Sequence, residues 1–254
     1  MKRTGLIALI VIVLSISILY VNFQASATDK GRQYYEERNL IIWDVQTEEK
    51  VIALTFDDGP HPIYTAQILD ILARFDAKAT FFVLGEHAEK YPTIVLREND
   101  EGHEIANHTF THSYKYTAKE LERELLKTND VIYGITGTYP VLFRPVGGSY
   151  DESVVNIAVE NDYKVVLWSW HQDTEDWKRP GVKRIVNRVL TGTKPGDVIL
   201  FHDAGGNRAQ TVKALEEILP ELQKQGYQFV TVSELIKRKN AETTMPKVKA
   251  NRPH

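Results

Sequence analysis

Short apolar runs alternate with amphipathic stretches along most of the chain. Seven runs have the length and composition of buried β-strands, and they cover residues 51–57, 79–83, 104–108, 141–146, 164–170, 198–202 and 228–232. The clearest helical pattern covers 118–132, where Thr117 and Glu120 are predicted to form a capping box. Asp151 is predicted to cap a further helix.

Strands that alternate with helices predict an α/β fold with a parallel sheet. We expect this sheet to form a distorted (β/α) barrel of about seven parallel strands. An open doubly wound sheet is the alternative. No glycine-rich loop of the kind that binds phosphate follows the first strand, which argues against a nucleotide site there.

The beginning of the chain has the pattern of an export signal. Lys2 and Arg3 precede an apolar run over 5–21, and three small residues follow at 25–27. This order is typical of a signal peptide, and the run is also just long enough for a membrane anchor. Either form predicts that the rest of the chain lies outside the cytoplasm, with the membrane contacted only through this segment.

The same patterns divide the chain into four parts. These are a signal peptide or membrane anchor (1–27), a polar spacer (28–47), one folded domain (48–236) and a basic flexible tail (237–254). The formal net charge of −3 gives no indication of a nucleic-acid partner. Because the chain has no cysteine, any metal ion must be bound by His, Asp or Glu.

Polar side chains cluster where the predicted strands end, and these positions carry the candidate chemistry. They are Asp57, Asp58, His108, His112, Arg144, Asp173, Asp176, Trp177, His202 and Asp203. The carboxyl ends of barrel strands meet at one face, so these residues are expected to converge there. The four-residue spacing of His108 and His112 is expected to place both imidazoles on one face of a helical turn. Together with a carboxylate, two imidazoles suit Zn²⁺.

Five short segments also follow a known order of motifs. TFDDG at 55–59, HTFTH at 108–112, the stretch around Arg144, DTEDW at 173–177 and LFH at 200–202 resemble the five motifs of the polysaccharide deacetylase family. This is the NodB-homology group, carbohydrate esterase family 4. The resemblance covers about 48–236, which would then be the catalytic domain. It implies hydrolysis of N-acetyl groups on a polymer of GlcNAc or MurNAc, such as peptidoglycan or chitin.

The resemblance also implies a role for each motif residue. Asp58, His108 and His112 would bind the metal ion, Zn²⁺ or alternatively Co²⁺ or another divalent cation. Asp57 would be the general base with Arg144 beside it, and a backbone N–H at Gly147 would stabilise the oxyanion. His202 would be the general acid, held by Asp176. Trp177 and Leu200 would form the walls of the acetyl pocket.

The third motif departs from the family pattern. Val146 stands where proline is usual, and Gly147 stands where an aromatic residue is usual. Adjacent glycines predict a less rigid loop, and a missing aromatic side chain predicts a wider groove. We therefore expect better turnover on bulky peptidoglycan strands than on small chitin oligomers.

Two other functions share these residues. One is removal of O-acetyl groups from xylan or peptidoglycan at the same site. The other is a catalytically weak carbohydrate-binding or cell-wall structural protein. The change at Gly147 is the only feature of the sequence that favours this alternative. The sequence leaves the particular polymer and the oligomeric state open.

Overall fold

The computed structural model describes residues 30–244, with side chains through residue 239. The predicted signal or anchor over 1–27 and the end of the predicted tail, 245–254, lie outside the described residues. The chain divides into two compact units, Met1–Leu40 and Ile41–His254. In the described part of the first unit, helix α1 spans Arg32–Glu37. Between residues 30 and 244, no helix combines the length and apolar character needed to cross a membrane.

The second unit is built on a parallel sheet. Its strands are β1 (Ile41–Ile42), β2 (Val51–Asp57), β3 (Ala79–Val83), β4 (Glu104–Asn107), β5 (Leu142–Phe143), β6 (Lys164–Val166), β7 (Val198–His202) and β8 (Gln228–Phe229). The order across the sheet is β1-β6-β5-β4-β3-β2-β7, and β8 pairs with β2. All these pairings are parallel. The sheet curls into a distorted half-barrel, which confirms the predicted fold class.

Helices connect the strands and cover the outside of the sheet. They are α2 (Tyr64–Arg74), α3 (Gly85–Lys90), α4 (Pro92–Asp100), α5 (Ala118–Thr136), α6 (Glu152–Glu160), α7 (Val182–Gly192), α8 (Ala209–Lys224) and α9 (Val232–Thr244). The capping box of Thr117 and Glu120 begins α5 as predicted. The Asp151 side chain accepts a hydrogen bond from Val154 N at the start of α6, which confirms the second predicted cap.

Strand β2 is buried along its whole length because it lies between β3 and β7. Ile52, Leu54 and Phe56 pack in the apolar cluster that also contains residues of the surrounding helices. Val51 and Ala53 belong to a second cluster, on the other face of the strand. Side chains alternate along a strand, so Thr55 and Asp57 continue the face of Val51 and Ala53. This alternation aims Asp57 into the barrel.

Two predicted boundaries differ from the structure. The predicted spacer 28–47 contains β1, which pairs with β6, and Trp43 behind it is fully buried. These apolar residues lie in an otherwise polar segment, so the hydrophobic pattern did not predict a strand there. The predicted flexible tail begins inside α9, which continues to Thr244.

The predicted strands at 141–146 and 164–170 are also longer than those in the structure. Strand β5 stops at Phe143, before Arg144 and Pro145, and a 3₁₀ turn follows over Val146–Gly148. Pro145 has no backbone N–H to donate to a neighbouring strand, so the hydrogen-bond ladder cannot continue through this point.

Candidate active site

Four strands place the predicted residues at the edge of the sheet where the carboxyl ends of the strands meet. Asp57 ends β2 and His202 ends β7, and the two are direct partners in the strand register. His108 follows β4, and Arg144 follows β5. The convergence expected from the strand ends is therefore present.

Asp58, His108 and His112 form a compact cluster. One ligand atom from each lies within 4.8 Å of the others. Asp58 Oδ1 is 3.6 Å from His108 Nε2 and 3.2 Å from His112 Nε2. This oxygen is buried and has no hydrogen-bond partner. A buried, unpartnered carboxylate oxygen between two imidazole nitrogens fits a divalent metal ion that accepts N and O ligands.

The electrostatics of the cluster favour the anionic carboxylate. Burial raises the pKa of the Asp58 carboxyl, but contact with His112 and the nearby imidazoles of His108 and His202 outweigh burial. The result is a pKa well below the ordinary range. The deprotonated carboxylate is the form that binds a metal ion.

The segment from His108 to His112 is a turn with left-handed residues, and the predicted helical turn is wrong. Thr109 has φ of 72° and His112 has φ of 57°. Glu124 of α5 holds the turn, since its Oε2 accepts hydrogen bonds from Phe110 N at 2.9 Å and Thr111 N at 2.7 Å. This turn brings the two imidazoles together. The helical geometry that we inferred from their four-residue spacing is not what places them side by side.

His108 is oriented by the third motif. Its Nδ1 lies 2.7 Å from the carbonyl oxygen of Arg144. A carbonyl can only accept, so Nδ1 carries the proton and Nε2 presents its lone pair to the cluster.

Asp57 lies beside the cluster and pairs with a fully buried arginine. Arg144 Nη1 donates to Asp57 Oδ1 at 2.7 Å and to Thr55 Oγ1 at 2.9 Å. Its Nε and Nη2 donate to the carbonyl oxygens of Val166 and Leu167, at 3.1 and 2.8 Å. All three nitrogens are thus satisfied, as a buried guanidinium requires. Asp57 has a different environment from Asp58, although the two are adjacent in the chain.

His202 is held by a buried aspartate on the other side of the groove. Its Nδ1 lies 2.7 Å from Asp176 Oδ1, and its backbone N–H donates to Asp176 Oδ2 at 2.9 Å. Thr211 Oγ1 also donates to Asp176 Oδ2, at 2.7 Å. Burial lowers the pKa of His202, but the hydrogen bond and charge of Asp176, with the charges of Asp57 and Asp58, raise it to about 9. In this environment His202 is protonated at neutral pH.

These groups share one groove of about 550 Å³. It is lined by Asp57, Asp58, Leu84, His108, His112, Tyr114, Gly147, Trp168, Asp173, Trp177, Leu200, His202, Gly205 and Arg208. Leu200 is buried on the strand that carries His202, and Trp177 is 51% exposed at the rim. The groove therefore combines an ionic centre with apolar walls.

The third-motif loop is neither open nor loosely held. Gly147 has φ of 61°, a conformation that glycine adopts without strain. The turn closes through Gly148 N to Pro145 O at 2.9 Å and Ser149 N to Val146 O at 3.2 Å. A Cβ on Gly147 would lie 3.3 Å from the ring of Tyr114, so this ring occupies the space beside the glycine. The expected wider groove at Gly147 is thus filled from another loop.

Several residues that complete the site were not predicted. Thr55 lies on the same face of β2 as Asp57, so strand alternation could have identified it. Thr211 comes from α8 and Glu124 from α5, and neither carries a local signal. Asp203, which the strand-end pattern grouped with the site, is fully buried and accepts a hydrogen bond from Thr65 Oγ1. Burial raises the pKa of Asp203 to about 7.

Comparisons with known proteins agree with this geometry. The family model "Polysaccharide deacetylase" matches residues 44–166. The peptidoglycan-N-acetylglucosamine deacetylase of Bacillus cereus is 47% identical over 214 residues, covering 82% of this chain and 99% of the relative. The chitooligosaccharide deacetylase of Rhizobium leguminosarum bv. trifolii is 38% identical, covering 78% of this chain and 96% of that relative.

A solved structure has the same fold. It is a peptidoglycan N-acetylglucosamine deacetylase in complex with 4-naphthalen-1-yl-N-oxidanyl-benzamide, with a TM-score of 0.77 and 38% identity. The match covers 81% of this chain and 97% of the other. The chain belongs to the polysaccharide deacetylase family, as the five motifs indicated.

Proposed function

We propose that this chain is a metal-dependent hydrolase that removes N-acetyl groups from a GlcNAc- or MurNAc-containing polysaccharide, such as peptidoglycan or a chitin-type oligomer, and releases acetate. The observation that carries the proposal is the position of Asp57, whose Oδ2 lies 3.8 Å from His108 Nε2 in the metal-binding cluster and whose partner in the strand register is His202. The names of the similar deacetylases support the same reaction.

The metal-binding residues in this proposal are Asp58, His108 and His112. One carboxylate and two imidazoles suit Zn²⁺, with Co²⁺ as a substitute. When bound, such an ion supplies Lewis acidity: it lowers the pKa of a bound water and polarises the acetyl carbonyl. The buried, unpartnered Asp58 Oδ1 is the feature that supports this assignment.

Asp57 is the proposed general base. Arg144 donates a hydrogen bond to one of its oxygens at 2.7 Å, and this contact orients the carboxylate. The carboxylate accepts a proton from the attacking water as the oxygen of that water bonds to the acetyl carbon. The backbone N–H of Gly147 is proposed to donate to the carbonyl oxygen as it gains negative charge.

His202 is the proposed general acid. An amine anion is a poor leaving group, so the C–N bond breaks with transfer of a proton to the nitrogen. The raised pKa of His202 supports this role, because the imidazole carries a proton to donate at neutral pH. Asp176 holds the ring, and Trp177 and Leu200 are proposed to enclose the acetyl methyl group.

The site of action is proposed to be the cell wall, outside the cytoplasm. The relatives named as peptidoglycan deacetylases support this location. The basic and apolar start of the chain further supports export, either as a secreted protein or attached through the N-terminal segment. The expected partner is the N-acetylated polysaccharide, and no nucleic acid is involved.

An acetate-release assay tests the proposal. Zinc-loaded protein is incubated with peptidoglycan, an N-acetylated chitin oligomer and O-acetylated xylan in parallel. We expect acetate from the N-acetylated substrates together with a free amine on the sugar. Acetate from xylan alone would instead identify an esterase. Absence of acetate from every substrate, with zinc bound at one equivalent, would contradict a catalytic function.

A further inference from the structure

Tyr114 is an exposed aromatic residue placed directly beside the proposed catalytic groove. It follows the cluster residue His112 by two positions, and its ring meets the imidazole edge-on, with 5.3 Å between centroids and 83° between planes. The side chain is 75% exposed. A tyrosine that lines the groove with most of its surface in solvent leaves a large apolar face free for contact.

The position of Tyr114 bears on the third motif, where this chain has Gly147 and the family usually has an aromatic residue. A Cβ on Gly147 would lie 3.3 Å from Tyr114 Cε1 and 3.9 Å from Cδ1. A side chain at 147 would therefore press against this ring, which would have to shift by a few tenths of an ångström. The loop that carries His112 supplies an aromatic ring at a place where the Arg144 loop offers only glycine.

Tyr114 also lines two cavities. One is the groove with the metal-binding cluster, and the other, which we call the second cavity, has a volume of about 270 Å³. The hydroxyl-bearing residues of the second cavity include Ser113, Tyr116, Ser149 and Ser153, and its apolar residues include Leu121, Phe143, Val146 and Ile157. Apolar walls with a few hydroxyl groups are typical of a small-ligand site.

The chemistry of these surfaces matches a pyranose ring. A sugar presents C–H groups on its faces and hydroxyl groups around its edge. A tyrosine ring offers a rigid apolar face at low cost in conformational entropy. In the second cavity the hydroxyls of Ser113 and Tyr116 already bond within the chain, and those of Ser149 and Ser153 can bond the sugar's edge. The proposed substrate is a polymer, so sugars on either side of the reacting unit must lie somewhere along the groove.

We propose that Tyr114 is a specificity-determining residue that stacks on the sugar next to the one being deacetylated, which then extends into the second cavity. This inference rests on the proposed function. It predicts that Tyr114 contributes to the binding of longer oligomers and has little influence on the chemical step.

The test compares Tyr114→Ala, Tyr114→Phe and Tyr114→Trp in the full zinc-loaded chain. The matched control is Tyr139→Ala, because Tyr139 is also an exposed tyrosine but stacks on Tyr133. It lies three residues before β5 begins at Leu142, at the opposite end of the barrel. kcat and KM are measured on N-acetylated chitin oligomers of two to six sugars. Binding of the tetramer is measured by calorimetry in an Asp57→Asn background, together with the Kd for zinc.

For Tyr114→Ala we expect KM and the tetramer Kd to rise about tenfold, which corresponds to about 1.4 kcal/mol. kcat should stay within about twofold of the wild type, and the gain in kcat/KM with oligomer length should disappear. Phe and Trp at this position should restore tetramer binding, because they retain the stacking face. The control variant should match the wild type at every length.

Two results would overturn the inference. One is an unchanged tetramer Kd in Tyr114→Ala. The other is an equal loss of kcat at every length with weaker zinc binding, which would show that Tyr114 only supports His112. Failure of the proposed function is separate: it would appear as no acetate from the wild type on any substrate, while the calorimetric comparison would still measure glycan binding through Tyr114.

Discussion

The pKa of His202 depends on Asp176, and this dependence gives a quantitative prediction. Burial alone would lower the pKa of the imidazole, but the hydrogen bond and charge of Asp176, together with the charges of Asp57 and Asp58, raise it to about 9 from an ordinary value of 6.5. Asp176 itself is buried, and it bonds both the side chain and the backbone N–H of His202. Removing its charge should therefore reverse the shift.

Asp176→Asn is the informative change because it keeps the size of the side chain and its ability to accept from His202 Nδ1. The burial remains, while the charges of Asp57 and Asp58 still favour the protonated ring, so we expect the pKa of His202 to fall back toward its ordinary value of 6.5. At the limit of a full return to 6.5, the protonated fraction at pH 7.5 drops from about 97% to about 9%, so protonation alone lowers the supply of general acid by up to about tenfold.

The assay is kcat/KM for an N-acetylated oligomer from pH 6 to pH 10.5, with an NMR titration of the His202 imidazole. The alkaline limb of the profile should move to lower pH in the variant, by up to about two pH units. As a control, Asp173→Asn removes a carboxylate that accepts from Glu175 N and should leave that limb in place. An unmoved alkaline limb in Asp176→Asn would refute His202 as the general acid.

The same linkage predicts an effect on stability in the metal-free protein. The folded pKa of His202 is raised above its unfolded value, so the pair stabilises the fold fully below about pH 6.5. That contribution, roughly 3 kcal/mol, is lost as the pH rises through about 9. The difference in unfolding free energy between wild type and Asp176→Asn should therefore shrink across this window. A difference that is constant from pH 6 to pH 10 would contradict the linkage.

Asp57→Asn should retain one zinc per chain and lose about 10²–10⁴-fold in kcat; loss of zinc would instead make this residue a metal ligand. Gly147→Tyr should lower kcat/KM on short and bulky substrates alike, because φ of 61° costs an L-residue about 1–2 kcal/mol and the ring of Tyr114 is in the way. A gain in activity would show that the loop can rearrange. Mass spectrometry of the mature N-terminus should find a start at Thr28 or an intact Met1 in the membrane fraction; a full-length cytoplasmic protein would disagree with both.

Most of the fold and the positions of the site residues could be predicted from the sequence. Strands that are buried along their length, such as β2 and β7, are continuous apolar runs and end in polar residues, so their bounds and the convergence of Asp57 with His202 were predictable. Strand β1 was missed because two residues carry no periodicity. Its burial depends on pairing with β6, which is distant in the chain.

The orientation of the site residues depended on contacts that sequence spacing does not contain. The spacing of His108 and His112 indicated a helical turn, yet the left-handed residues and Glu124 determine the actual geometry. The change at Gly147 was interpreted as an opening of the groove. Tyr114, from a segment about thirty residues earlier, occupies that space, and only the three-dimensional structure brings the two together.

The central claim is a metal-dependent release of acetate from N-acetylated sugars, and one measurement tests it directly. Acetate and new sugar amines are quantified from peptidoglycan before metal removal, after exhaustive chelation verified by elemental analysis, and after addition of one equivalent of Zn²⁺. The account predicts that chelation abolishes both products and that zinc restores them in equal amounts. Full activity in protein shown to contain no metal would contradict the assignment of Asp58, His108 and His112.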